Sequence, residues 1–164
     1  MIGYLRIGGA ILVMIAAAYG SYSYEKYINR RLEEYKGLVA LVSHAQSKIS
    51  SFLSHGRGLW QGFSNEALES VGLLPALRNG ESLSSAFESC LEKMSLSASA
   101  KTAVSERLKG LGEGYMESEL KILQGLGEHL SAELEAESEK GEKNVKVARA
   151  LLLGGGLAVM ILAL

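Results

Sequence analysis

Apolar and polar positions change rhythm along the chain, and the changes mark its elements. From Ile7 to Tyr24 no side chain is charged, and Ile, Leu, Val and Ala stand on every side of a helix over about the length needed to cross a bilayer. Leu32, Tyr35, Val39, Val42, Ile49 and Phe52 then recur at helical spacing, which predicts one unbroken helix to about Phe52, stopped by Gly56 and Gly58. Leu59, Trp60 and Phe63 form an apolar turn with Trp60 as a core anchor. Asn65 to Val71 reads as a short helix capped by Ser64 and closed by Gly72 and Pro75. A helix from Leu83 to Met94, capped by Ser82, places Leu83, Phe87, Cys90, Leu91 and Met94 on one face. The next, from about Ser99 to Leu111 and capped by Ser97 or Ser99, does the same with Val104, Leu108 and Leu111. A last soluble helix begins near Tyr115 with a seam of Leu120, Leu123, Leu126, Leu130 and Leu134, suited to bundle or coiled-coil packing. From Glu135 that seam dissolves into Glu and Lys, with Glu139 and Lys143 at i,i+4 spacing, as in a solvated helical stalk reaching Lys146. Ala150 to Leu164 is uncharged and apolar all round.

The pattern predicts an all-α protein: a helical bundle domain over 25–149 flanked by an N-terminal transmembrane helix, 1–24, and a C-terminal one, 150–164. A cleaved signal peptide is the rival for the first segment, since Ala16, Ala17 and Ala18 offer small residues; Tyr19, Tyr22 and Tyr24 favour a retained helix with an interfacial aromatic belt. The second segment is short for a span, but Lys146 and Arg149 can snorkel while Val145 and Val147 extend its apolar length. A buried core helix is its rival. Ala16 with Gly20, and Gly154 with Ala158, repeat small residues at four-residue spacing, which allows the two segments to approach closely. Lys26, Arg30, Arg31 and Lys36 follow the first segment, and Lys140, Lys143, Lys146 and Arg149 precede the second. This bias predicts a cytoplasmic central domain, with both termini on the other side.

Composition narrows function. One proline and an abundance of Ala, Leu, Glu and Lys favour helix over sheet, and a net charge of −1 argues against nucleic acid, whose phosphates call for a basic face. Cys90 is alone, so no internal disulfide forms and the thiol reads as a small buried hydrophobe. Aspartate is absent, and His44, His55 and His129 lie on separate segments without metal-ligand spacing. Ser118 and Lys121 match Ser-x-x-Lys without the motifs that accompany it in enzymes, and Gly110-Leu111-Gly112-Glu113-Gly114 follows no strand and precedes no Lys-Ser/Thr pair. The expectation is therefore no catalytic residue, no metal and no cofactor, and a protein that acts through contacts.

Arg31-Leu32-x-x-Tyr35, Leu83-x-x-x-Phe87-x-x-x-Leu91 and Leu108-x-x-Leu111-Gly112-Glu113-Gly114, with the leucine helix and glycine-rich tail behind them, give the chain its family likeness. Over essentially its whole length it resembles the stage III sporulation protein AB family of endospore-forming bacteria. The resemblance implies a component of the channel-like assembly between mother cell and forespore. That family looks like the cytoplasmic domains of the platform proteins of type II secretion and type IV pilus systems, an analogy of fold. On that analogy the chain is a membrane platform subunit in the mother-cell membrane around the forespore, coupling a cytoplasmic secretion-type ATPase to other stage III sporulation channel proteins, with self-association into a homo-oligomer left open. A membrane-anchored signalling or scaffold protein is the alternative, and a small membrane enzyme ranks third for want of a site. The charged face of Arg57, Arg78, Lys101, Arg107 and Lys109 is the candidate partner-binding surface, set against the plainer reading of charges kept for solubility.

Overall fold

The computed structural model describes the backbone of residues 2–51, 59–109, 111 and 116–163, and the side chains of 9, 11–51, 59–109, 111, 117–148, 150–152, 154, 155 and 158. Its elements, in order, are α1 (Ile2–Ser50), α2 (Glu66–Ser70), α3 (Leu73–Arg78), α4 (Leu83–Cys90), α5 (Ala98–Leu108) and α6 (Met116–Ala163), with no strand among the described residues. The chain divides into two units, one of residues 30–136 and one of residues 1–29 with 137–164.

The 30–136 unit is a helical bundle around one core. Tyr35, Leu38, Leu41, Val42, Ala45 and Ile49 recur every three or four residues on α1 and are buried together with Leu123, Leu126 and Leu130 of α6. The short helices fill the space between with Leu68, Leu74, Leu77, Phe87, Val104 and Leu108, and Trp60 is buried in the turn that precedes α2. Gly37 of α1 packs closely against the start of α2. A Cβ there would stand 2.7 Å from Asn65 Oδ1 and 2.9 Å from Leu68 Cγ, so no larger residue fits without displacement.

Four boundaries differ from the expectation. Asn65, not Ser64, caps α2: its Oδ1 accepts from the Leu68 N–H at 3.1 Å, while the Ser64 hydroxyl faces Glu69 Oε1. Pro75 does not close a helix but sits in the first turn of α3, where its missing N–H is not needed, and Leu73, Leu74 and Leu77 are buried behind it. α4 ends at Cys90 rather than Met94. The segment after it is tied to α1 instead, by Ser95 N–H to Glu34 and by Arg30 to the Lys93 carbonyl. α5 ends at Leu108, and Leu111 stays packed against the core through a turn. Ser82 and Ser97 cap α4 and α5, each accepting from the N–H three residues on, at 3.2 and 3.1 Å.

In the other unit the backbone is helical over 2–29 and 137–163. Gly141 of α6 is buried against Ile28 of α1, with Cγ2 only 2.8 Å from where a Cβ would be. Among the described residues a Cβ at Gly20 or Gly154 meets nothing within 4 Å, and Ala16 and Ala158 are exposed. Among the described residues no helix is long and apolar enough to cross a membrane. Many side chains of the two expected spans, those of 1–8, 10, 153, 156, 157 and 159–164, lie outside the described residues.

Candidate partner surfaces

The structure describes four of the five cations of the candidate face. Arg57 lies outside the described residues. Arg78, at the end of α3, donates to Glu69 Oε1 at 2.8 Å and to the Phe63 carbonyl at 3.1 Å, so its guanidinium braces α3 against α2 and the turn before it. Lys101 is half-buried on α5 and Lys109 is exposed just past it. Arg107 is exposed and donates to the Gly125 carbonyl of α6. Charge reversal at Arg78 or Arg107 therefore removes internal bonds as well as surface charge.

Arg107 instead joins residues of α6. With Lys121, Ile122, Gly125, Glu128 and His129 it lines a groove of about 460 Å³ on the 30–136 unit. A second groove, of about 490 Å³, is lined by Arg30, Glu33, Asn65, Glu66, Ala67 and Ser70. Arg30 of the second groove also takes part in a polar contact that periodicity does not reveal. Glu34 is 0% exposed; Arg30 Nε donates to its Oε1 at 3.1 Å and the Ser95 N–H to its Oε2 at 2.5 Å. Beside it the Tyr35 hydroxyl and Ser97 Oγ are 3.1 Å apart, and that same Oγ caps α5. The signal in the sequence is Arg30 four residues before Glu34, which alone reads as a surface pair.

The histidines stay apart. His44 stacks obliquely on Phe63 at 5.3 Å, His129 lines the first groove, and His55 lies outside the described residues. Cys90 is buried, and among the described residues no group of three or more His, Cys or Glu is placed to hold a metal ion. Ser118 and Lys121 are both exposed on α6. What the described residues offer is a well-packed helical unit with two surface grooves, each lined by both charged and apolar groups.

A family comparison makes the assignment specific: residues 6–164 match the family model described as stage III sporulation protein AB, and the chain belongs to that family. It is thus a stage III sporulation protein, of a structural family. No curated protein and no solved structure matches it.

Proposed function

We propose that this protein is a non-catalytic platform subunit in the mother-cell membrane around the forespore, anchored by its two terminal segments, whose cytoplasmic 30–136 unit couples a secretion-type ATPase to the sporulation channel. One observation carries the anchoring. The large apolar side chains that stand exposed among the described residues, such as Leu12 at 69%, Ile15 at 60% and Leu151 at 70%, all belong to the unit of 1–29 and 137–164, whereas the 30–136 unit buries its own in one core. Contiguous apolar surface of that kind calls for lipid or another chain. Tyr19, Tyr22 and Tyr24 at the end of the uncharged run, and Tyr27 just past it, are exposed, as interfacial aromatics would be. Family membership supplies the sporulation setting, and the platform role follows the family's likeness to secretion platforms.

Copurification tests the coupling role. A tagged chain extracted from sporulating cells in mild detergent should bring down a secretion-type ATPase and other stage III channel proteins. Recovery of a kinase or adaptor in their place would favour the signalling alternative and overturn the platform reading.

A further inference from the structure

The groove between α5 and α6 has a charge pattern that specifies its occupant. Arg107 stands on one wall, and its bond to the Gly125 carbonyl fixes the guanidinium in place while leaving most of its five N–H donors to spare. Lys121 stands on the other wall, exposed and without a hydrogen-bond or ion-pair partner among the described residues. The one acid in the lining, Glu128, is held by Gln124 Nε2 at 3.0 Å. Ile122 adds half-buried apolar surface, and His129 Nε2 is shielded from solvent with no hydrogen-bond partner among the described residues.

We infer that this groove is a docking site for an acidic segment of a protein partner, a carboxylate seating between Arg107 and Lys121 with an apolar neighbour over Ile122. Two cations against one engaged acid give the lining a positive surplus on a chain whose net charge is −1, so the complementarity is local to the groove. An opening of about 460 Å³ accepts one or two side chains. The inference rests on the platform reading in one respect, that the occupant is a protein.

The test uses the full-length protein in detergent micelles and a fluorescein-labelled peptide, Glu-Glu-Leu-Glu-Glu-Leu, followed by anisotropy at about 50 mM salt, where exposed charge pairs are weakly screened. Saturable binding is expected. Lys121→Glu should weaken it about tenfold or more, Arg107→Gln should weaken it less, and Lys121→Arg should retain it, all with unchanged helical circular dichroism; Lys140→Glu serves as the control and should bind as the parent does. Absence of saturable binding, binding of Lys121→Glu within twofold of the parent, or an equal loss in Lys140→Glu would overturn the inference. So would binding of phosphatidylglycerol vesicles through Lys121 by a protein that ignores the peptide, since that outcome assigns the groove to lipid headgroups. Copurification separates the two levels. If the ATPase comes down equally with the parent and with Lys121→Glu, the groove is not its docking site and the platform reading stands; if the parent recovers no ATPase, the platform reading fails whatever the peptide does.

Discussion

Glu34 is the residue on which the inner polar contact of the bundle turns. A buried carboxylate is tolerated only with partners, and here Arg30 and the Ser95 N–H supply them. Glu34→Ala leaves the Ser95 N–H without its acceptor and opens a void, for a cost of roughly 2–4 kcal/mol. Arg30→Ala removes the partner of Oε1 while the carboxylate stays buried, at roughly 1–3 kcal/mol, more than its half-exposed position suggests. Because the arginine's role here is to satisfy the acid, the double variant should be less destabilised than the sum of the two. Urea unfolding of all three measures this, and strict additivity would show that the pair is not coupled. The sequence hid the arrangement: Arg30-Arg31-Leu32-Glu33-Glu34 reads as a solvated stretch, and only the return of Ser95 from across the bundle turns Glu34 inward.

At the scale of elements, the glycines of the long helices separate two effects that act in opposite directions. Alanine is favoured over glycine in a helix by about 1 kcal/mol. At Gly125 nothing lies within 4 Å of a new Cβ, so Gly125→Ala should raise stability by up to about 1 kcal/mol. At Gly37 the same propensity gain meets the Asn65 cap and Leu68, and overpacking of this kind costs about 1–3 kcal/mol, so Gly37→Ala should be destabilising on balance. Thermal melts of the two variants should move in opposite directions, and a shared direction would refute the contact at Gly37. The elements themselves were largely legible, because apolar spacing along α1, α4, α5 and α6 matches the faces that are buried. Less legible were the places where two signals compete. Ser64 and Asn65 are adjacent capping residues, and Pro75 reads as a terminator unless the first turn of α3 is known to begin just before it.

For the molecule as a whole, the chain divides into two units at 29/30 and 136/137, and the large apolar side chains exposed among the described residues belong to the unit of 1–29 with 137–164. The groove between α5 and α6 was legible only in part. Charge marked Arg107, but nothing in spacing announced that Lys121 and His129, a helix away, would line the same groove. The basic bias around the terminal segments leads to a prediction at this scale: a cysteine placed at Gly3 should react with a membrane-impermeant maleimide from outside the cell, and a cytoplasm-dependent reporter fused after Lys140 should be active. Labelling of the 30–136 unit from outside would reverse the topology and remove the geometric basis for contact with a cytoplasmic motor.

The core of the 30–136 unit is closed by residues from its two extremes, with α1 contributing from Tyr35 and α6 from as late as Leu130. A ribosome making this chain must therefore deliver nearly the whole unit before the last gap in its interior is filled, and until then Leu41, Leu68, Phe87 and Val104 wait beside a missing wall. Quality control in the cell thus has a simple marker of completeness, since a product broken off before Met116 lacks Leu123, Leu126 and Leu130 and presents the interior to proteases, whereas a finished one does not.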